Sequence, residues 1–182
     1  MGSRVRLAAA AALVLCSSLR AQAVSQKFYP VQAQFGTGWT DGTNKYDTTI
    51  CWKTDGARRG WAYFDHLDTL YVPFDSARIH YYQIADTNNP TVTLRWCQVD
   101  PITAGAYTIY NALNQGMTLA TEGGGTDWHH VTLTAPTPWP AVPGSRMCVG
   151  FCEDGVNPPT PRAGAADGWG TQNQPYIEFF HH

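Results

Sequence analysis

The sequence predicts an all-β protein, an antiparallel β-sandwich of about eight strands with one short helix inserted near residues 103–114. Three observations lead there. Short runs in which apolar and polar residues alternate recur along the chain, clusters of turn-forming residues separate them, and only one segment has helical periodicity. Successive side chains of a strand point to opposite faces, so alternation marks a strand with one buried side.

The elements follow in order. Strands are expected at 27–33 (KFYPVQA), 48–53 (TTICWK), 60–65 (GWAYFD) and 77–84 (ARIHYYQI), with the turn signals Asp41-Gly42 and Asp55-Gly56 between them. Asn88-Asn89-Pro90 introduces the clearest strand, 91–99, where Val92, Leu94 and Trp96 alternate with Thr91, Thr93 and Arg95. The run ITAGAYTIYNALNQG then changes period. Ala106, Ile109, Tyr110 and Leu113 stand at i, i+3, i+4 and i+7, Thr103 is placed to cap the start, and Gly116 lies just past the end. A lone helix among strands is expected to cover an open end or edge of the sandwich. After Gly123-Gly124-Gly125 come strands at 128–134 (WHHVTLT), 146–152 (RMCVGFC) and, beyond Asn157-Pro158-Pro159, 175–181 (PYIEFFH).

Residues 1–23 read as a secretory signal peptide. Arg4 and Arg6 supply the basic start, 7–16 an apolar run, and Ala21-Gln22-Ala23 a small-x-small cleavage site. The run is too short to span a bilayer, which takes about 20 apolar residues. The bulky Leu15 before Cys16 argues against a lipid anchor there. The working protein is then a single domain, 24–182, secreted or displayed at the cell surface. It carries nine basic and fourteen acidic residues, a net charge of −5, which argues against nucleic acid or an anionic membrane as partner.

Export puts Cys51, Cys97, Cys148 and Cys152 in an oxidising environment, where a disulfide framework is the first expectation. Four residues of extended strand separate Cys148 from Cys152 by roughly 13 Å, beyond the 4.4 to 6.8 Å that a bridge spans. Each is therefore expected to pair with Cys51 or Cys97. Paired short motifs of the zinc-binding kind are absent, so no metal site is assigned to the cysteines or to His129-His130 and His181-His182.

The run R-G-W-A-Y-F-D at 59–65, followed by V-P-F-D-S-A-R-I-H-Y-Y at 72–82, resembles the stretch RGWAKFDLSSIP-x-GATI-x-SA-x-L-x-x-Y of secreted bacterial jelly-roll modules. These are the DNRLRE-type domains and a related group of carbohydrate-binding modules. V-D-P-I-T-A, T-D-W-H-H-V-T-L, C-V-G-F and D-G-W-G-T-Q-N-Q-P-Y-I-E-F-F keep the order to the end of the chain. Two departures stand out: residues 66–73 form a longer connection with Pro73 displaced, and the four cysteines lie outside the pattern. The resemblance implies a jelly-roll fold and a non-catalytic binding or surface-display role.

The chemistry read from the residues agrees with a non-enzyme. Glu122, Glu153 and Glu178 are the only glutamates, no E-x-D-x-E strand is present, and Asp65 belongs to the G-W-A-Y-F-D framework beside Asp68. Ser25, Ser76 and Ser145 sit in no nucleophile elbow. No cofactor is expected. Two loops offer ligands for a structural calcium ion: Asp86, Asn88 and Asn89 in one, Asp41, Asn44 and Asp47 in the other. Sugar rings stack on flat aromatic side chains. Trp39 and Tyr46 in a polar loop, and Trp139 between prolines, are the candidate ligand-binding residues, whereas Trp61, Trp96, Trp128 and Trp169 are assigned to the core. The expected function is an exported binding or adhesion module whose partner is a glycan or cell-surface polymer. The alternative is a structural subunit of an extracellular filament, sheath or appendage that pairs with copies of itself.

Overall fold

A computed structural model describes residues 24–31, 36–54, 58–64, 67–70, 74–133, 147–153 and 163–181. The expected signal peptide at 1–23 lies outside the described residues. So does Trp139.

Among the described residues the chain forms two six-stranded sheets, antiparallel in every pairing, and one α-helix. The first sheet holds β1 (Val24–Phe28), β4 (Ile50–Thr54), β6 (Ser76–Thr87), β9 (Trp128–Thr132), β11 (Ala163–Asp167) and β12 (Tyr176–His181). The second holds β2 (Thr37–Thr40), β3 (Lys45–Asp47), β5 (Arg59–Phe64), β7 (Val92–Cys97), β8 (Met117–Glu122) and β10 (Met147–Cys152). There are thus twelve strands, not about eight. Seven of the eight expected runs hold a strand; at 27–33 the strand lies earlier, at Val24–Phe28, and shares only Lys27 and Phe28 with the expected run. The four additions, TGWT, KYD, MTLATE and AGAAD, are short or lack apolar alternation, and the sheet they join supplies the order that their own side chains do not.

The pairings are nested. Taking β1, β5, β6, β7, β8, β9, β10 and β12 in chain order, the first pairs with the last, the second with the seventh, the third with the sixth and the fourth with the fifth. The contacts β12·β6 and β10·β7 then join these pairs into the two sheets. β6 is the long member: residues 76–80 pair with β12, 78–82 with β9, and 83–87 mostly with β11.

Both sheets turn one phase of their alternation into a shared core. Ala77, Ile79 and Tyr81 of β6, Ile177 and Phe179 of β12 and Val131 of β9 meet Ala62 and Phe64 of β5, Leu94 of β7 and Val149 and Phe151 of β10. Tyr81 packs edge-on against Phe151 across the interface, with ring centroids 5.4 Å apart. Such a pair contributes about 0.5 to 1.5 kcal/mol beyond its area.

The helix, α1 (Ala106–Gln115), lies on the outer face of the second sheet and not over an end or edge as expected. The reason is in the strands beneath it. In β5 the phase opposite Ala62 and Phe64 carries Trp61 and Tyr63, and in β10 it carries Cys148 and Cys152. With Cys97 these make an apolar outer surface that needs a cover, and Ile109 and Leu113 provide it. β10 is consequently buried at all six positions. Gly150 permits this approach, because a Cβ there would stand 2.6 Å from Leu113 Cδ2. The helix starts later than expected: Thr103 is exposed in the preceding turn, and Gly105 takes the cap position without a side-chain hydrogen bond. Gly116 ends it, as expected.

The disulfide expectation requires a correction, because all four cysteines are buried free thiols. Cys51 lies in the core between the sheets, 3.0 Å from the Asp167 carbonyl, which its thiol donates to. Cys148 and Cys152 point from β10 to the helix side, so the second sheet itself stands between them and Cys51. Cys97 is on that same side and directly opposite Cys148 in register. A pairing that uses Cys51 is therefore blocked by the layer structure. Burial pushes the thiols up: Cys97 to about 12, with Cys152 beside it adding to the effect, and Cys148 and Cys51 well above the ordinary thiol range.

Candidate functional site

The outer face of the first sheet holds the most connected set of polar and aromatic side chains. Its origin is the phase of four neighbouring strands that points away from the core. β6 sends Ala77, Ile79 and Tyr81 inward and Arg78, His80 and Tyr82 outward; β12 sends Ile177 and Phe179 inward and Tyr176 and Glu178 outward. In β9, Val131 is inward while Trp128 and His130 are outward, and β1 adds Lys27 opposite the buried Phe28.

Register brings these groups into rows. Tyr176, His80 and His130 are mutual partners across β12, β6 and β9, and Tyr82 stands opposite Trp128. The next row is Lys27, Glu178 and Arg78 across β1, β12 and β6. Tyr176 lies flat against His80, with centroids 4.3 Å apart and planes 7° from parallel. Trp128 meets Tyr82 at 5.7 Å and runs parallel to His130 at 6.2 Å. Lys27 Nζ is 4.8 Å from the Tyr176 ring centre, and Tyr29, 43 % exposed, extends the aromatic row at 5.6 Å from Tyr176.

Polar contacts tie the rows together. Glu178 Oε1 accepts from Ser25 Oγ at 2.7 Å and faces Lys27 Nζ at 3.9 Å. Its Oε2 is 3.2 Å from His80 Nε2, a contact not aligned as a full hydrogen bond. His80 Nδ1 and His130 Nδ1 are 2.6 Å apart. Burial holds the His80 pKa down at about 4, the nearby His130, Lys27 and Arg78 lower it further, and Glu178 opposes them. Near neutral pH His80 is uncharged and holds one ring proton. The carboxylate favours that proton on Nε2, which leaves Nδ1 to accept from His130 Nδ1–H. His130 is the exposed member of the pair and turns its Nε2 edge away from His80. The arrangement can hold a hydroxyl-rich ligand by hydrogen bonds beside flat aromatic faces.

Of the residues expected to form the site, Trp39 and Tyr46 stand in the second sheet, and Trp139 lies outside the described residues. Trp39 and Tyr46 are brought together, opposite one another in β2 and β3, but they stack on each other with centroids 3.9 Å apart and planes 19° from parallel. The Arg58 guanidinium also sits over the Trp39 ring, 4.7 Å from its centre. Of the tryptophans assigned to the core, Trp61 is fully buried, Trp96 and Trp169 are half-buried, and Trp128 belongs to the outer face instead. The signal for Trp128 was present in W-H-H-V-T-L: Val131 and Leu133 set the inward phase, which leaves Trp128 and His130 outward. The same rule applied to R-I-H-Y-Y turns Arg78, His80 and Tyr82 to the outer face, where the neighbouring rings bury His80.

The two loops considered for calcium are ordinary turns. Asp41 Oδ1 accepts from the Asn44 and Thr43 backbone N–H groups at 2.7 and 2.8 Å, which holds its carboxyl below the usual range. Asp86 Oδ1 accepts from Asn89 N at 3.0 Å, and Asn88 and Asn89 both have left-handed φ, of 61° and 50°. Asp47 is paired with Lys45 at 3.4 Å; burial raises its carboxyl pKa against the lysine's pull. Among the described residues no group of three or more His, Cys, Asp or Glu side chains is placed to hold a metal ion. The Asp65 and Asp68 side chains lie outside those described.

No protein-family model and no curated protein matches the chain. Among the described residues no helix is long and apolar enough to cross a membrane.

Proposed function

We propose that this is an exported, non-catalytic carbohydrate-binding or adhesion module that holds its glycan on the outer face of the first sheet. One observation carries the reading: Trp128, Tyr82 and His130 stand side by side on the outer face of the first sheet, with His130 exposed and the two larger rings half-buried, backed by the Tyr176–His80–Glu178 cluster that fixes His130 in place. Rigid aromatic surface beside a positioned hydrogen-bonding ring is the combination that sugars require, since each sugar has an apolar face rimmed by hydroxyls. The nested strand pairing supports the jelly-roll form of the sandwich, and the likeness of residues 59–82 to secreted jelly-roll modules supports the functional class. The leader-like residues 1–23 support export.

A glycan array followed by titration calorimetry tests the reading. Trp128→Ala is expected to weaken binding at least tenfold, while Trp39→Ala leaves it unchanged because Trp39 stands in the second sheet, stacked on Tyr46. Absence of any glycan signal from folded protein, or binding indifferent to Trp128→Ala, refutes it.

A further inference from the structure

We infer that the outer face of α1 is a docking surface for a second copy of this chain, the two helices meeting antiparallel about a two-fold axis at Asn111. The inference stands apart from the carbohydrate reading, since α1 covers the second sheet and the ligand face belongs to the first. From Pro101 to Thr121 the chain carries no Asp, Glu, Lys, Arg or His, although the domain from residue 24 onward has a net charge of −5. Ile109 and Leu113 turn to the sheet, so the helical period directs Tyr107, Thr108, Asn111 and Gln115 the other way. Among the described residues Tyr107 is the most exposed of the large apolar side chains, at 71 %, and Met117, just past the helix, is exposed as well.

The chemistry of this face selects its own likeness. An excess of acidic residues makes two copies repel, and an uncharged face is the one through which they approach at least cost. A partner of opposite charge finds nothing on it to read. A carboxamide both donates and accepts, so Asn111 pairs with Asn111 of the second copy through two reciprocal N–H···O bonds. Among the described residues the Asn111 and Gln115 side chains make no hydrogen bond within the chain, so nothing has to be broken first. Tyr107 and Gln115 each stand four residues from Asn111, roughly 6 Å along the axis to either side. A two-fold axis at Asn111 therefore sets the Tyr107 ring of each copy against Gln115 and Met117 of the other, an isologous contact that closes at two. The cation at the margin is held aside: Arg59 Nε donates to Asn114 Oδ1 at 2.8 Å, and its guanidinium lies 5.6 Å from the Tyr110 ring centre. A ten-residue helix and the start of β8 make a contact at the small end of specific interfaces, below about 1,200 Å² in total, so the dimer is reversible. The outer faces of the two sheets point opposite ways, so a dimer joined through α1 turns its two first-sheet faces away from each other, as a bridge between two ligand chains requires.

Sedimentation velocity on the whole chain over a wide range of concentrations tests the surface. The mass is expected to double reversibly as the concentration rises. Asn111→Asp, which sets two carboxylates against each other on the axis, is expected to weaken the dimer roughly tenfold or more, while Thr132→Asp, on the outer face of the first sheet, leaves it unchanged. Cysteine crosslinking checks the arrangement. Asn111→Cys is expected to join to itself on mild oxidation, and Tyr107→Cys to join to Gln115→Cys when the two variants are mixed but not to itself. A chain that stays monomeric at every concentration, a dimer indifferent to Asn111→Asp, or Tyr107→Cys that joins only to itself overturns the inference. If Asn111→Asp also lowers the urea midpoint, the crosslinking pattern decides. The dimer is measured with no glycan present, so failure of the carbohydrate reading leaves it standing, and a monomeric chain that still binds glycan removes this inference alone.

Discussion

His80 makes the stability of this domain sensitive to mild acid. The side chain is 5 % exposed, stacked on Tyr176 and hemmed in by His130, and its pKa in the folded protein is about 4 against an ordinary 6.5. The unfolded chain takes up a proton at this residue below about pH 6.5, whereas the folded one resists until about pH 4. Its contribution is therefore complete above pH 6.5, declines as the pH falls toward 4, and changes no further below that. At 1.36 kcal/mol per pKa unit, about 2 kcal/mol is lost by pH 5 and up to about 3 kcal/mol at lower pH. That is a large share of the roughly 5 to 15 kcal/mol that holds a typical domain together. The assay is urea denaturation, followed by tryptophan fluorescence, of the natural protein and of His80→Gln at about pH 7.5, 6 and 5. Glutamine fills much of the space, offers N–H to Glu178 and a carbonyl to His130, and does not titrate. The stability difference between the two proteins should shift by about 2 kcal/mol, against the natural protein, from pH 7.5 to pH 5. Parallel pH profiles would show that His80 is not held neutral by its surroundings and would refute the reasoning.

Two further outcomes follow from the helix-covered face. Gly150→Ala places a methyl group 2.6 Å from Leu113 Cδ2 and 3.2 Å from Cys97 Sγ, so it should lower stability by about 1 to 3 kcal/mol, seen as a lower urea midpoint with an unchanged slope. An unchanged midpoint would mean that α1 does not pack as closely on β10 as Leu113 requires. In protein held reduced, all four thiols should resist a thiol-specific reagent until denaturant is added, because each is buried and, at Cys51, Cys97 and Cys148, burial also suppresses the thiolate form. Rapid labelling of any one in native buffer contradicts its placement.

The strands were legible where their side chains alternate. The 91–99 and 175–181 runs carry enough contrast between phases to declare both the strand and its buried side. TGWT and AGAAD do not, because Gly, Ala and Thr show little difference between inward and outward positions, and such segments become strands only beside partners that already exist. Alternation also held the clue to the candidate site, in the outward phase of Trp128 and His130. A tryptophan in a strand is more often core than surface, and that prior concealed the clue. Trp39 and Tyr46 show the converse. Their loop composition suggested exposure, yet their positions in β2 and β3 set them face to face.

What the chain alone determined is local: the period of each strand, the helical stripe of Ile109 and Leu113, the glycine that ends the helix, and the spacing that keeps Cys148 from reaching Cys152 along one strand. These follow from backbone geometry over a few residues. Which strands lie side by side, and hence which outward residues meet, was decided only in three dimensions. Lys27 and Glu178 are 151 positions apart, and His80 and His130 fifty, yet each pair touches. Register converts such separations into contact, and register depends on how all the buried phases fit together at once. The same layering set Cys51 apart from the other three cysteines and laid the helix across the face of the second sheet. The apolar outer surface of Trp61, Tyr63 and Cys148 needed cover, and the helix supplied it.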